Sequence, residues 1–386
     1  MGHNAGGGAD PAVRGDEQLV SPPSPPTALR PRPRLDDPEV VADPFPYYEA
    51  MRRDGQVQFL AAHGFWIVLG HAEVARAFEH PAIGSTAPFT EVDTVLLAAE
   101  PPGHSAARAT VARLLSAEAV NSIFAAAAAK ARSLVRPELE LVEEYGLPIS
   151  RTVGARLIGF DEAAVAQVVA AEARAGAAAR PFDAYLEQLY SLVDRASLFD
   201  ALRSDAEAPL PEDRARSLVR LLWLATTTTT ERVVTRAVLR LLQQPELEQA
   251  IRANRGLIPR FVEEILRLHP PEHLIPRRAK AAIELGGVEV PAGAELRLCT
   301  SAANRDPAFY DRPDQLLLDR GYRRHFSFGA GMHLCIGATL ARRVIAFALE
   351  TLLAGGSGLR ALEPLERIPF VRTMSTLAPV RLRVRL

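Results

Sequence analysis

The longest run of apolar residues at helical spacing covers residues 217–244 and stops before Pro245. This periodicity predicts one long amphipathic helix, and the proline favours an end there because it disfavours helical backbone in the residue before it. Five consecutive threonines, Thr226 to Thr230, occupy its centre. Threonine is a poor helix former, and its hydroxyl can bond to a carbonyl one turn earlier and bend the helix. We therefore expect a long central helix with a local distortion.

Shorter patterns predict a mainly α protein with small β-sheets. Helical patterns occupy residues 45–53, 71–79, a segment that begins at Pro101-Pro102-Gly103, and most of 117–200. Alternating or short apolar runs predict strands at 56–60, 65–69, 283–285, 288–290 and 295–299. Residues 80–100 have no clear pattern and predict a loop. Residues 1–35, rich in Gly, Pro and Ser, predict a disordered tail, and 36–386 predict one domain.

Composition narrows the class of protein. Hydrophobic residues make up 48% of the chain, and a net charge of −1 provides no general attraction to nucleic acid or to an anionic membrane. No apolar stretch reaches 18 residues, so we expect no membrane-spanning helix. Two cysteines, Cys299 and Cys335, form no disulfide framework, which favours a reducing, cytoplasmic location. Cys299 lies in an apolar run and is expected in the core.

Cys335 stands in the glycine-punctuated segment 328–337, FGAGMHLCIG, directly before an apolar helical run. Glycines at 329, 331 and 337 permit a tight loop and close approaches. A cysteine near a helix start is exposed to free N–H groups that favour a thiolate, which is a potential metal ligand. A buried, inert cysteine is the alternative.

Segment 328–337 resembles the haem-binding signature of the cytochrome P450 family. Phe328, Gly331, Cys335 and Gly337 match its fixed positions, and His333 matches the common bacterial form. The resemblance extends over residues 36–386. It implies the cytochrome P450 fold, a triangular prism-like helical domain with haem b (iron protoporphyrin IX) between the central long helix and the helix after the cysteine loop. Cys335 would then be the iron ligand.

The resemblance also implies a set of haem-binding side chains. His104 and Arg108 are four residues apart and share one helix face. They form either a solvated basic face or a pair that reaches the haem propionates. Arg277 matches a propionate-binding arginine by its spacing, with Arg278 as the second choice, and His333 completes the set. Residues 272–276 are expected to pass over the pocket, and the stretch from residue 181 to border its entrance.

The threonine run departs from the family pattern at the centre of the long helix. Thr229 matches the oxygen-activating threonine, Thr228 replaces the usual acid, and Thr226 replaces the usual glycine. Glu231 is about 200° away from Thr229 around the helix and is expected to face elsewhere. Three alternatives follow. Water or a substrate group carries the protons, or peroxide is the oxidant, or the reaction is not a hydroxylation.

Glu264 and Arg267 lie three residues apart on an apolar helix. They are either an exposed pair of small effect or the buried Glu-x-x-Arg pair of the family, which is structural. A later arginine usually completes that network, and Gln315 occupies its place here, which puts the third charge in doubt.

The function predicted from the resemblance is a haem-thiolate monooxygenase that oxidises a small organic substrate in bacterial secondary metabolism. Electrons are expected from a separate ferredoxin and its reductase. The arginines that could dock the ferredoxin are Arg113, Arg323, Arg324, Arg342 and Arg343. The alternatives are a haem-thiolate peroxygenase, a non-hydroxylating enzyme (oxidative coupling, lyase or isomerase), and a non-enzymatic relative, against which Cys335 argues.

Overall fold

The computed structural model describes residues 33–86, 96–175, 192, 196–205, 209–356 and 358–386. They belong to one compact unit, Pro33–Leu386. Residues 1–32 of the predicted tail lie outside the described residues. Leu35, at the end of that predicted tail, is buried against a core that includes Tyr48, Met51 and Ile67.

Helices dominate the described part of the chain, as predicted. They are α1 Pro38–Ala42, α2 Phe45–Asp54, α3 His71–Glu79, α4 Gly103–Leu114, α5 Ala117–Leu134, α6 Leu147–Ile158, α7 Glu162–Ala175, α8 Ser197–Arg203, α9 Glu212–Thr227, α10 Thr229–Gln243, α11 Pro245–Ala253, α12 Ile258–Leu268, α13 Thr300–Ala303 and α14 Ala338–Ala354. Within the described ranges no single helix has the length and apolarity to cross a membrane; α4 and α5 meet both criteria only as a pair bent by 61°.

Small sheets flank the helical body. Their strands are β1 Val57–Leu60, β2 Phe65–Val68, β3 Ile83–Ser85, β4 Glu138–Glu140, β5 Leu274–Ala279, β6 Ile283–Leu285, β7 Val288–Val290, β8 Glu295–Cys299, β9 Arg360–Ala361, β10 Phe370–Arg372, β11 Leu377–Pro379 and β12 Arg383–Arg385. The main sheet has the order β1-β2-β8-β5-β3, with only β2 and β8 parallel. The strands predicted near β1, β2, β6, β7 and β8 are confirmed.

Two strands contradict the sequence predictions. β3 lies in the stretch predicted as a loop and pairs with β5 through Ile83 and Ala279. β4 interrupts the predicted helical region and pairs with β12 through Leu139 and Val384. Each is a short edge segment whose pairing partner is about 200 residues or more away in the chain, so local periodicity carries no signal for it.

The predicted central helix is present as α9 and α10, which are separated by a break at Thr228 (φ −101°, ψ −37°). Four successive hydroxyls donate to carbonyls one turn earlier: Thr226 to Leu222, Thr227 to Trp223, Thr228 to Leu224 and Thr229 to Ala225, at 2.8–3.2 Å. These bonds compete with the helical ladder and distort it. The predicted distortion without a glycine is therefore confirmed.

The Glu264–Arg267 pair is buried, as the family reading predicts. Arg267 donates Nε and Nη2 to the two Glu264 oxygens at 2.6 and 2.9 Å. The doubt about a third charge is resolved by Arg320, whose Nε lies 3.2 Å from Glu264 Oε2. Gln315 is exposed and contributes its backbone carbonyl to Arg267. Burial acts to raise the pKa of Glu264, but the bond from Arg267 and the backbone N–H of Leu317 outweigh it and lower that pKa.

Candidate active site

The loop before α14 is fixed against α12 and α3. The Phe326 N–H donates to Asn304 Oδ1 at 2.7 Å, and the Ser327 hydroxyl donates to the Leu266 carbonyl at 2.6 Å. Gly331 has φ +64°, and a Cβ there would lie 2.5 Å from the Phe78 carbonyl oxygen. Only glycine permits this approach without a shift of backbone.

Cys335 is positioned by this loop. Its N–H donates to the Phe328 carbonyl at 2.9 Å, and α14 begins three residues later with Gly337 as its N-cap. The side chain is accessible, but the protein surrounds it, so its accessible surface faces the cavity described below. Burial raises the pKa of the Cys335 thiol, and the Gly337 N–H acts to lower it. The predicted effect of the helix start is therefore present, but burial outweighs it.

A cavity extends from Cys335 to the central helix. Its volume is about 340 Å³. Leu340, Ala341 and Val344 of α14 line one side, and Ala225 and Thr229 line another. The cavity thus lies between the two helices that the sequence predicted would flank the haem.

Four basic side chains converge at one end of this cavity. His104 and His333 form an edge-to-face ring pair with centroids 4.6 Å apart. Arg108 and Arg277 line the same cavity. The negative charge of Glu100 acts on His104, Arg277 and His333. Glu100 Oε2 is itself paired with Lys280 Nζ at 3.2 Å.

These basic groups have unused hydrogen-bonding capacity. Both ring nitrogens of buried His104 have no partner, and among the described residues Arg108 has no hydrogen-bond or ion-pair partner. Burial lowers the pKa of Arg277 to about 10. Burial first, and the charges of Arg277 and His104 next, lower the pKa of His333 to about 4. The end of the cavity therefore suits an anionic group that would accept these hydrogen bonds.

Arg277 and Arg278 have opposite surroundings, which favours Arg277 as the cavity residue. Arg277 is buried, donates to the Pro276 carbonyl at 2.7 Å, and reaches Ser85 Oγ at 3.3 Å. Arg278 is exposed and pairs with Glu295 at 3.0 Å. Alternation along β5 places only Arg277 on the cavity side.

The threonines that line the cavity are not the ones that the family pattern predicts. Thr226, Thr229 and Thr230 line it, whereas Thr228 does not. Residues three and four apart share a helix face, and consecutive residues are about 100° apart. The prediction that Thr228 lines the oxygen side is therefore wrong.

Glu231 faces away from the cavity, as predicted. It is buried, accepts a bond from Thr235 Oγ1 at 2.8 Å, and packs on Gly146 of the π-helical turn Val142–Gly146. Burial raises the pKa of Glu231 to about 7, against the hydrogen bond from Thr235.

Sequence reasoning missed Thr226 and Thr230 as lining residues. Helical periodicity contained the signal, because a stripe at 222, 225–226 and 229–230 recurs every three to four residues. Glu272 and Ile275 line the cavity in the segment predicted to pass over it. Leu96 and Leu97 line it from the predicted loop, while residues 87–95 and the predicted entrance at 181–182 lie outside the described residues.

The predicted residues Phe328, Gly337, His104, Arg108, Arg277, His333, Cys335 and Thr229 all line this one cavity. A family model described as Cytochrome P450 matches residues 215–355. Cytochrome P450 144 of Mycobacterium tuberculosis is 32% identical over 364 residues, covering 82% of this chain and 83% of the relative. Pentalenic acid synthase of Streptomyces avermitilis is 30% identical over 379 residues, covering 85% and 90%.

Solved structures show the same fold. The crystal structure of P450BioI in complex with a hexadec-9Z-enoic acid ligated acyl carrier protein superposes with a TM-score of 0.80 at 23% identity. The match covers 90% of this chain and 100% of that one.

Proposed function

This chain belongs to the cytochrome P450 family and is a haem-dependent monooxygenase, and we propose that it oxidises an apolar organic molecule of bacterial secondary metabolism with electrons from a separate ferredoxin and its reductase. The observation that carries the proposal is the placement of Cys335 in a mainly apolar cavity, with four basic groups at one end and a row of hydroxyls on the central helix.

The residues of the cavity fit haem b. A single thiol faces the space, and the basic groups that lack partners would receive two propionates. Cys335 would hold the iron, and His104, Arg108, Arg277 and His333 would hold the propionates, with Phe328 and Gly337 beside the thiol. When bound, haem b supplies one-electron and dioxygen chemistry.

The hydroxyl row would organise protons through water. Thr229 Oγ1 donates to the Ala225 carbonyl at 2.8 Å, so its lone pairs remain free to accept a hydrogen bond. Thr226 and Thr230 lie beside it on the cavity wall. We propose that water molecules held by these three hydroxyls carry protons in place of the missing acid. Thr228 is not part of this row.

The cavity wall supports an apolar substrate with a polar group. Leucine, isoleucine, valine and alanine dominate its lining, and among the described lining residues Glu272 is the one acid. Glu272 Oε1 pairs with Arg232 Nη1 at 3.0 Å. Secondary metabolism is favoured by the similarity to pentalenic acid synthase of Streptomyces avermitilis, which covers 85% of this chain.

Arginines on the side of the thiolate loop support a docking surface for an acidic ferredoxin. Arg323 is exposed, and Arg343 of α14 reaches Asn121 Oδ1 at 2.9 Å. Arg342 and Arg324 are paired with Glu263 and Glu79, and Arg113 with Asp205. Arg323 and Arg343 have no carboxylate partner among the described residues, so their charges are the most available to a ferredoxin. Two cysteines without a disulfide favour a cytoplasmic location. The disordered tail stays a prediction for residues 1–32.

A second function is favoured by one observation. The acid of the threonine motif is replaced, and Glu231 faces Gly146. A peroxygenase, or an enzyme of oxidative coupling, lyase or isomerase chemistry, does not need the same supply of protons.

Reconstitution separates the two functions. Candidate substrates are incubated with NADPH, ferredoxin and reductase, and in parallel with peroxide alone. Oxygenated product only with the electron donors supports the proposal, whereas product only with peroxide supports the second function. Arg323→Glu should raise the KM for ferredoxin, and Arg360→Glu, an exposed control, should not.

A further inference from the structure

A second group of basic side chains lies outside the active-site cavity. It comprises Arg236 and Arg240 of α10, His269 and His273 after α12, and Arg305 after α13, and we call it the basic cluster. None of the five lines the active-site cavity. The propionate, thiolate and substrate roles described above therefore leave the cluster unexplained.

The members of the basic cluster share neighbours. Arg240 Nη2 lies 3.3 Å from His269 Nε2. The rings of His269 and His273 contact the ring of Phe45 at centroid distances of 6.1 and 5.9 Å. The Arg305 guanidinium lies 3.9 Å from the centroid of the same ring. Arg236 lies one helical turn before Arg240 on the same face of α10.

Positive charge in the basic cluster exceeds negative charge. Asp314 is the one carboxylate bonded to it in the described part of the chain, at 2.7 Å from Arg305 Nη1. Glu272, next to His273, is committed to Arg232 at 3.0 Å. Three arginines against one carboxylate leave two positive charges without a partner, and buried charges are normally paired.

The protonation states of the side chains in the basic cluster follow from their burial. Burial first, and the nearby arginines next, lower the pKa of His273 to about 3 and that of His269 well below its usual range. Burial also lowers the pKa of Arg236 and of Arg305 to about 10. At pH 7 both rings are neutral and the arginines remain charged.

The unpartnered groups are largely donors. The Nε–H groups of Arg236, Arg240 and Arg305 have no acceptor. A guanidinium can only donate, so His269 Nε2 accepts from Arg240 and the ring proton is on Nδ1, which also has no partner. Water would not compensate the charge, whereas an anion accepts hydrogen bonds from the N–H donors it contacts and also compensates the charge.

The cluster is closely surrounded by protein. Arg236 and His269 keep some accessible surface, although protein encloses each of them on nearly every side. Side chains packed this closely leave room for a small ion and not for an organic acid.

We propose that the basic cluster is a binding site for a small inorganic anion of the size of chloride, which neutralises Arg236 and Arg240 and ties α10 to the segment after α12. The site is structural and independent of the oxygenation chemistry. It would make the stability of the protein depend on the anion present.

Bromide identifies the site directly. Crystals of the haem-loaded full chain are soaked in bromide, and anomalous scattering is recorded. An ordered peak within hydrogen-bonding distance of Arg236, Arg240 or His269 is expected. Water or an empty gap at this position, with bromide elsewhere, would overturn the proposal.

Thermal unfolding tests the linkage in solution. Chloride replaces gluconate, a bulky anion, at constant ionic strength. At about a 20-fold excess over its Kd, chloride should raise the Tm by about 2 °C. Arg240→Met should abolish the rise, and Arg381→Met, which removes an exposed arginine paired with Glu363, should keep it. An equal rise in all three proteins, or no rise in the wild type, contradicts the site. If Arg240→Met does not fold, the bromide peak decides.

Discussion

Arg320 provides a sharp test of how the thiolate side of the fold is held together. Its side chain is 9% exposed, and its Nε bonds Glu264 Oε2 at 3.2 Å. Its Nη1 donates to the Asp311 carbonyl at 2.6 Å and Nη2 to the Arg312 carbonyl at 3.1 Å. Gln315, at the place where the family pattern puts this arginine, contributes only backbone to the network.

The magnitude follows from these bonds. Arg320→Ala removes one charge-assisted bond of about 1.5–3 kcal/mol and leaves the Asp311 and Arg312 carbonyls to be satisfied by water, each about 1 kcal/mol at most. The Gln315 carbonyl, which also accepts from Arg320, keeps its bond from Arg267. Glu264 keeps both bonds from Arg267, so the loss is smaller than for a fully broken buried pair. We expect Arg320→Ala to lower the free energy of unfolding by about 3 kcal/mol. Gln315→Ala should cost within about 0.5 kcal/mol.

Urea unfolding at pH 7, followed by far-ultraviolet circular dichroism of the haem-loaded proteins, measures both changes. Equal slopes with urea concentration would show that the two variants unfold like the wild type. A loss below about 1 kcal/mol for Arg320→Ala, or a larger loss for Gln315→Ala, would refute the assignment of the third charge.

Three further outcomes are expected. Gly331→Ala should cost about 3 kcal/mol of stability, because a Cβ would lie 2.5 Å from a carbonyl oxygen, whereas Gly287→Ala, with nothing within 4 Å, should cost about 1; equal urea midpoints would contradict this. Thr226→Val should change the Kd of an azole ligand about fivefold and Thr228→Val less than twofold. Spectral titration measures both constants, and the reverse order would contradict the placement of these threonines. Burial acts to raise the pKa of Glu263, but hydrogen bonds hold it at about 2. Because the folded pKa is below the unfolded value, Glu263 stabilises above about pH 4.5 and less as the pH falls. Glu263→Gln should thus cost more at pH 7 than at pH 4, and an equal cost would disprove the linkage.

Local patterns predicted much of the site. The glycine spacing around Cys335 and the four-residue spacing of His104 and Arg108 identified residues that the fold brings to one cavity. Both signals are short-range, and the geometry of a loop or helix turn preserves them. The distortion of the central helix was also predictable, because hydroxyl bonds to carbonyls four residues earlier are local.

The errors arose where distant parts of the chain meet. Arg320 reaches Glu264 across 56 residues, and β4 pairs with β12 across more than 200. Neither contact leaves a periodic trace. The choice of Thr228 failed for another reason: a family pattern was followed where helical angles place Thr226 and Thr230 on the cavity wall.

The most direct test compares the two cysteines. Haem is loaded into the wild type, Cys335→Ser and Cys299→Ala, and the carbon monoxide difference spectrum of each reduced protein is recorded. Cys299 is fully buried in β8 and lines no part of the cavity. The red-shifted carbonyl band of thiolate-ligated haem is expected in the wild type and Cys299→Ala and should be absent from Cys335→Ser. A wild type that takes up no haem, or a band that survives Cys335→Ser, would contradict Cys335 as the iron ligand.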